Sequence, residues 1–341
     1  MNNTKRNSEV AIFVCHDLIG LMITNDLVPK LKETGCTPVI VNTGVVKNRK
    51  PTVPPPPGPS FHVAGIVDQA LLPFLDQLQP EQIPSGKNLS YKHMAKAHGL
   101  KYLEISDVND ATFLEAMQND PNLIGGISVR FLQVFGRQAI DIFEEKGFLW
   151  NLHGGLLPQY QGLLIPYRAI YNNEDNYGWT LHKMAEKIDS GDVIDVVTKP
   201  LNKLSSVFSI YARMVPHGAT MIAGALKDFL TTSSYPYSPQ SLEKARYYPY
   251  PTNEEMQKYE RMGISFVGDL ETHINTIVQN FLDPKSPLGR NLKRALCSAT
   301  LTYLQTNERT LDIAANQHKS PNTGTTPIGD RAVFGLAAPA V

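Results

Sequence analysis

The chain has 341 residues, which is long enough for two domains or for one large domain with an appendage. Its composition is 42% hydrophobic and 19% charged, an ordinary balance for a globular protein with a sizeable core. Lysine plus arginine and aspartate plus glutamate each number 32, so the chain has no global positive field to attract nucleic acid or an anionic membrane.

Cysteine usage and apolar runs bear on where the protein acts. Three widely spaced cysteines make neither a zinc pattern nor a disulfide framework, which is typical of a reducing cytoplasm. The first apolar run, 10–14, is interrupted by His16 and Asp17, so no signal peptide is predicted. No apolar stretch approaches the roughly 18 to 20 residues of a membrane helix. We therefore expect a cytoplasmic protein.

The first part of the chain alternates between strand and helix patterns. Residues 10–14 form a continuous run rich in β-branched residues, which is typical of a buried parallel strand. Apolar residues at helical spacing follow until Gly35, and 38–41 is the next strand. Further strands are predicted over 101–105, 123–129 and 148–152, with helices over 91–98 and 139–145. This order indicates an α/β fold, a Rossmann-like and mostly parallel sheet flanked by helices.

Three other segments complete the predicted organisation. Residues 51–59 include four consecutive prolines and are predicted to form an exposed loop, because proline does not fit a sheet or a helix interior. Helical spacing dominates after Pro200, including a capping-box pattern at Thr252 and Glu255. The predicted division is an α/β domain over 1–201, a smaller, mainly helical C-terminal region over 202–315 and a disordered tail over 316–341.

The block most informative about chemistry begins at the predicted strand 148–152. Asn151 and His153 are two residues apart, so on an extended strand both face the same way at its carboxyl end. Ligands of open parallel sheets bind at that edge. Later in the chain, Asp189 stands at a Ser-Gly turn that can hold a carboxylate beside a pocket, and His182 precedes it.

This block resembles the formyltransferase family that includes glycinamide ribonucleotide, methionyl-tRNA and nucleotide-sugar formyltransferases. The family pattern is Asn-x-His, then Leu-Leu-Pro, a spacer and Gly, followed by an Asp-x-Gly turn. The matching residues are Asn151, His153, Leu156, Leu157, Pro158, Gly162, Asp189 and Gly191. Two positions depart from the pattern, because Gly155 replaces a common Ser and Gln161 replaces a common Arg. The resemblance covers about 10–201, and the block is its specific part.

The resemblance implies a catalytic trio of Asn151, His153 and Asp189. When an amine attacks a formyl carbonyl, negative charge grows on the oxygen, and an Asn amide and an imidazole can supply fixed donors to it. The attacking ammonium must also lose a proton, and His is the side chain poised near neutral pH. Asp189, if it lies near His153, would orient the imidazole and raise its basicity. Asp192 is the competing carboxylate.

The resemblance also implies 10-formyltetrahydrofolate as co-substrate. In the family its pterin is held by backbone groups of the loop before the catalytic strand and of the loop that carries the aspartate. The corresponding residues are Arg130, Phe131, Leu132, Gln133, Val134 and Ile188. His182 and Gly155 are expected to pack against the catalytic trio without contacting the substrate. No metal is expected, since His93 and His98 are wrongly spaced for two ligands on one helix face.

The acceptor is predicted to be the primary amine of a small molecule, with no nucleic acid or membrane partner and with a homodimer left open. A nucleotide-linked amino sugar leads, followed by a small amino-acid-derived amine. The Gly-rich phosphate loop of the glycinamide ribonucleotide branch is absent at 15–20, and the region after Leu201 lacks the basic domain of the tRNA branch. The alternatives are a formyltetrahydrofolate hydrolase, a methionyl-tRNA formyltransferase-like enzyme and a non-catalytic folate-binding module.

The tyrosine-rich stretch 246–251 has two readings. Its rings could stack on a substrate base or ring. The alternating prolines could instead make it a rigid linker.

Overall fold

The computed structural model describes residues 8–44, 53–241 and 243–317, with side chains described up to residue 306. Its strands are β1 Glu9–Val14, β2 Thr37–Asn42, β3 Lys101–Glu104, β4 Leu123–Val129, β5 Leu149–His153, β6 Gln161–Gly162, β7 Asn176–Lys183, β8 Val193–Pro200 and β9 Tyr247–Tyr248. Seven of them form one sheet in the order β3-β2-β1-β4-β5-β7-β8, in which β1 to β5 are parallel and β7 and β8 antiparallel. The predicted Rossmann-like, mostly parallel sheet is confirmed.

Helices cover both faces of the sheet and make up most of the chain after β8. They are α1 Leu18–Glu33, α2 Pro57–Ser60, α3 Leu72–Leu75, α4 Tyr91–His98, α5 Ala111–Asn119, α6 Arg137–Lys146, α7 Ile165–Tyr171, α8 Val207–Thr232, α9 Asn253–Arg261, α10 Leu270–Phe281 and α11 Pro287–Gln317. The predicted capping box at the start of α9 is present, because Thr252 and Glu255 bind each other's backbone N–H groups. None of these described helices combines the length and apolar character needed to cross a bilayer.

The chain divides into two units, Met1–Thr300 and Leu301–Val341. The first holds the whole sheet, and the described part of the second is the end of α11. The domain boundary predicted at residue 201 stays a prediction. The tail predicted to be disordered over 316–341 lies almost wholly outside the described residues, since only 316 and 317 belong to α11.

The prediction of an exposed loop over 51–59 is wrong from Pro57 onward. Pro57 begins α2, Pro59 is buried, and the chain then continues through π-helical turns at Phe61–Gly65 and Val67–Leu71. Proline is tolerated there because the first turn of a helix has no intrahelical partner for its N–H groups, and a fixed φ suits that turn. Residues 51 and 52 lie outside the described residues.

Aromatic packing anchors the strands that lead to the site. Phe13 of β1 meets Phe113, Phe135 and Phe143 edge-on, with ring centroids 4.9 to 6.3 Å apart. Trp150 of β5 is fully buried and stacks on Phe148. Burying each such ring stabilises the fold by roughly 1.5–3 kcal/mol. The carboxyl ends of β4 and β5 are therefore held on a rigid base.

Two of the tyrosines in the tyrosine-rich stretch form a short strand and a third, Tyr250, lines a cavity, so stacking on a ligand stays a prediction. Tyr247 and Tyr248 form β9, which pairs in parallel with Gln161 and Gly162 of β6. A side chain at Gly162 would place its Cβ 2.0 Å from the carbonyl oxygen of Tyr248, and φ there is +106°. Only glycine permits this close pairing, which brings the C-terminal region against the loop that follows β5.

Candidate active site

Two neighbouring strands supply three of the polar side chains of the site. Asn151 and His153 lie on β5, and His182 lies on β7 directly opposite Asn151 in the antiparallel register. Asp189 stands in the turn between β7 and β8, with a left-handed φ of +53°. Because β5 is paired on both sides, the sheet itself fixes where these side chains emerge.

The predicted trio converges, and His182 joins it. The Asp189 carboxylate lies between two histidines, with its Oδ2 3.4 Å from Nδ1 of His153 and its Oδ1 3.6 Å from Nε2 of His182. Nδ2 of Asn151 is 3.0 Å from Nε2 of His182. Both histidines are buried, so these contacts are screened little by water.

His182 fixes the orientation of the Asn151 amide. Its Nδ1 is 2.7 Å from the carbonyl oxygen of Lys183, and a carbonyl can only accept, so Nδ1 carries the proton. With the ring proton on Nδ1, Nε2 of His182 can accept one N–H of Asn151. The second N–H of that amide is left for a ligand in the cavity.

The same reasoning assigns the basic nitrogen of His153. Its Nε2 lies 2.6 Å from the carbonyl oxygen of Tyr160 and therefore donates, which leaves Nδ1 as the unprotonated nitrogen of the neutral ring. Burial lowers the pKa of His153 below its ordinary value, although the nearby charge of Asp189 raises it in part. The charge of Asp189 does raise the pKa of His153, as expected. The loss of hydration on burial lowers that pKa by more, so the net shift is downward.

Asp189 keeps its charge in this buried position. Burial alone would raise its pKa, but the two histidines and the N–H of Gly162, 2.8 Å from Oδ2, hold that pKa at about 2. An ionised carboxylate beside a neutral imidazole is an arrangement that stabilises a proton arriving on the ring.

The two departures from the family pattern both touch the trio. A Cβ on Gly155 would lie 2.8 Å from Nε2 of His153 and 2.6 Å from the Tyr160 oxygen, so glycine is needed for the bond between them. Gln161 is buried, and its Nε2 is 3.1 Å from the carbonyl oxygen of Asp189. Both positions therefore shape the geometry around the trio.

The trio lines a cavity of about 130 Å³, here called the first cavity. All six residues predicted for the folate also line it, namely Arg130, Phe131, Leu132, Gln133, Val134 and Ile188. Val134 and Ile188 form an exposed apolar rim, at 51% and 38% exposure. Tyr211, a buried residue of α8, lines the cavity too.

Two of the predicted folate residues use their side chains elsewhere. Arg130 pairs with Asp17, with Nη2 to Oδ2 at 2.9 Å, and its guanidinium lies 4.8 Å from the Tyr211 ring centroid. Gln133 accepts from the N–H of Val108 and donates to the carbonyl of Ser106. At these positions the backbone, and not the side-chain head group, is what remains for a ligand.

A second cavity of about 320 Å³ adjoins the first. The two share the lining residues Arg130, Leu132, Leu163 and Leu164. The other residues that line the second cavity are Cys15, His16, Asp17, Gly44, Pro55, Pro59, Ser60, Val63, Ala64 and Tyr250. This lining is mostly apolar, and its charged groups Asp17 and Arg130 neutralise each other.

Asp17 also occupies the start of α1. Its Oδ1 accepts the N–H of Gly20 at 2.7 Å, and the residue is buried. The N-terminus of a helix attracts anions through its free N–H groups and its dipole, but here a carboxylate of the protein is already in place. The second cavity is therefore poorly suited to a phosphate at this point.

An α/β sheet with a buried polar cluster at its carboxyl edge defines a ligand-binding domain of the open-sheet class. The comparison with known protein families gives a more specific result than the fold class. Residues 92–226, which contain the whole trio, match the family model described as formyl transferase. This match agrees with the resemblance that the motifs around Asn151, His153 and Asp189 predicted.

Relatives match over part of the chain. A methionyl-tRNA formyltransferase from Moorella thermoacetica is 33% identical over 165 residues, which are 48% of this chain and 51% of the relative. Another from Halalkalibacterium halodurans is 28% identical over 162 residues, 47% of this chain and 50% of the relative. The chain spans about half the length of the curated relatives it matches.

Solved structures give a weaker likeness. A sugar N-formyltransferase from Shewanella sp FDAARGOS_354 aligns with a TM-score of 0.46 and 16% identity, over 71% of this chain and 76% of that one. A glycinamide ribonucleotide transformylase 1 from Symbiobacterium toebii aligns with a TM-score of 0.46 and 12% identity, over 71% and 99% of the two chains.

Proposed function

We propose that this protein transfers a formyl group from 10-formyltetrahydrofolate to the primary amine of a small molecule. The observation that supports it most is the contact of the Asp189 carboxylate with His153, next to an Asn151 amide that points one N–H at a ligand cavity. A formyl transferase domain over 92–226 supports the reaction class.

Asn151 acts on the formyl oxygen. His182 holds one N–H of the amide, so the other has a fixed direction before the substrate arrives. A fixed donor is worth most where charge develops, since no reorganisation is needed as the carbonyl oxygen becomes negative.

His153 and Asp189 handle the proton. As the new C–N bond forms, Nδ1 of His153 takes a proton from the attacking nitrogen, and the imidazolium is stabilised by the ionised Asp189 at 3.4 Å. When the bond between the formyl carbon and the folate nitrogen breaks, the imidazolium returns the proton to that leaving nitrogen. The low pKa of His153 keeps the ring neutral and ready at neutral pH.

The folate is proposed to occupy the first cavity. The backbone of 130–134 faces it, and the apolar rim of Val134 and Ile188 suits a flat heteroaromatic ring. In this arrangement the side chains of Arg130 and Gln133 stabilise the loop.

Two classes of amine acceptor fit the proposal. A nucleotide-linked amino sugar is the class that the sequence favours. A small amine without phosphate is favoured by the second cavity, because Arg130 is the only Lys or Arg among its described lining residues and is already paired with Asp17.

The test is the release of tetrahydrofolate from 10-formyltetrahydrofolate, first in water alone and then with nucleotide-linked amino sugars, small amines and methionyl-tRNA. Release that depends on one amine supports the transferase and names its acceptor. Release in water alone would instead identify a hydrolase. Folate binding without release under every condition would leave a binding module.

An Asn151→Ala variant makes this test specific to the site. Loss of one such donor is expected to reduce kcat about 100- to 1000-fold, the equivalent of about 2.7–4 kcal/mol. Folate binding measured by fluorescence serves as the control and should change little. Near-normal turnover in this variant would contradict the proposed role of Asn151.

A further inference from the structure

The turn that carries Asp189 needs outside support. Asp189 adopts a left-handed backbone conformation, with φ at +53°, which is unfavourable for a residue with a side chain. The direction of its carboxylate follows from this backbone. Whatever holds the turn therefore also sets the distances from the carboxylate to the two histidines.

Two glutamine side chains bind the backbone of this turn. Nε2 of Gln240 is 2.9 Å from the carbonyl oxygen of Asp189 and 2.7 Å from that of Gly191. Nε2 of Gln161 is 3.1 Å from the same Asp189 oxygen and 3.2 Å from Oε1 of Gln240. A primary amide has two N–H groups, so each glutamine has a partner for both. A network in which every amide N–H has a partner restricts the turn to a narrow range of geometries.

The segment that carries Gln240 is itself tied down on both sides. Ser238 exchanges two backbone hydrogen bonds of 2.8 Å with Val193 at the start of β8. Farther along, the N–H of Arg246 donates to the carbonyl of Pro158 at 3.1 Å. Gln240 is therefore presented to the turn by fixed backbone and not by a free loop.

Gln161 is anchored as well, through its own neighbour. The N–H of Gly162 donates to Oδ2 of Asp189 at 2.8 Å, and Gly162 follows Gln161 in β6. Backbone and carboxylate of Asp189 are thus held by adjacent residues of one strand, with Gln240 closing the arrangement from the other side.

We propose that Gln240, acting together with Gln161, is a positioning residue for formyl transfer, which keeps the Asp189 carboxylate between His153 and His182. Gln240 does not line the first cavity, so it acts through the turn that carries Asp189 and not by contact with a ligand. The catalytic consequence rests on the proposed function, whereas the placement of the carboxylate does not.

The test compares Gln240→Ala and Gln240→Met with the wild type. Methionine keeps the length and volume of glutamine but donates no hydrogen bond, so it separates the loss of donors from the loss of packing. Gln257→Ala, on an exposed position of α9, is the matched control. Thermal unfolding followed by circular dichroism verifies that each variant is folded.

The decisive readout is the titration of the His153 ring by NMR in the free protein. If the carboxylate swings away, the charge that partly opposes burial is lost, and the pKa of His153 should fall further. A merely structural role for Gln240 would lower the melting temperature without moving this titration. An unchanged titration in a folded Gln240→Met variant would overturn the proposal.

Kinetics provide the second readout. With an acceptor identified, kcat should fall about tenfold or more while KM for the folate is unchanged, and Gln257→Ala should match the wild type. If the wild type itself transfers no formyl group, the proposed function fails, but the NMR titration still decides whether Gln240 positions Asp189. The two failures are therefore distinguishable.

Discussion

Two adjoining cavities share one wall, but their chemistry is opposite. The first is small and concentrates ionisable groups, since His153 and Asp189 line it and His182 contacts Asp189 from behind. The second is larger and mostly apolar, and its one ion pair, Asp17 with Arg130, is internally neutral. If the proposed function holds, this contrast predicts a division of work, with bond making in the first cavity and acceptor selection in the second.

This division has a physical basis in the two strand ends. At the end of β5, Asn151 contacts His182 and His153 contacts Asp189, so these polar groups are held in fixed positions beside the cavity. At the end of β1, the side chain of Asp17 already caps α1 and pairs with Arg130, so it is not available to a ligand. Substitutions in the first cavity should therefore change kcat, and substitutions in the second should change KM for the acceptor.

The largest effect is expected for His153→Ala. Removing the general base should reduce kcat about 100- to 10,000-fold, with little change in KM for the folate. Amine-dependent release of tetrahydrofolate is the measurement. His98→Ala at the end of α4 is the control for removing an imidazole elsewhere. Equal kcat values for the two variants would contradict the division of work.

The pH profile tests the same residue in the unmodified enzyme. The pKa of His153 lies below its ordinary value, so kcat/KM should rise with pH through a midpoint below about 6.5. Asp189→Asn removes the charge that raises this pKa, so the acidic limb should move to still lower pH while the plateau falls. A limb that moves to higher pH would contradict the assignment of Nδ1 as the base.

A smaller loss is expected for Gly155→Ser, which restores the residue common in the family. The new Cβ would crowd Nε2 of His153 and the Tyr160 carbonyl at 2.8 and 2.6 Å, so the ring must move. A displacement of this kind is expected to reduce kcat by up to about 100-fold. The measurement is kcat together with the NMR titration of His153, which should change in parallel.

A substitution in the second cavity should act on binding alone. Ala64 lines that cavity and not the first, so Ala64→Leu fills space where the acceptor is proposed to lie. KM for the acceptor should rise by about tenfold, while kcat at saturation and KM for the folate stay near the wild type. A rise in KM for the folate instead would mean that the co-substrate extends into the second cavity.

The sequence predicted the first cavity far better than the second. The strands were predictable because buried parallel strands are continuous apolar runs. The trio was predicted through the resemblance of its motifs to the formyltransferase family. Gln240 carries no such pattern, since it reaches Asp189 across 51 residues through a backbone carbonyl. The sequence did not identify Tyr211 as a cavity residue, because the apolar face of α8 has the same pattern whether it packs on the core or lines a cavity.

The last prediction concerns histidines away from both cavities, because they limit how far the acidic limb can be followed. His273 of α10 packs edge-on against Phe208 and His62, and neither of its ring nitrogens has a hydrogen-bond partner among the described residues. Burial lowers the pKa of His273 to about 3 and that of His62 to about 4. Each pKa is lower in the folded protein than in the unfolded chain, so their stabilisation is complete above about pH 6.5 and is lost as the pH falls.

His273→Phe should therefore separate acid unfolding from acid inactivation. Phenylalanine fills a similar volume and carries no proton, so the variant should avoid a loss of about 3 kcal/mol in the free energy of unfolding by pH 4. Urea unfolding at pH 7 and at pH 4 measures this difference. The acidic limb of kcat/KM should stay where it is, because His273 lines neither cavity. If the limb moved with the unfolding midpoint, it would report loss of the fold and not the protonation of His153.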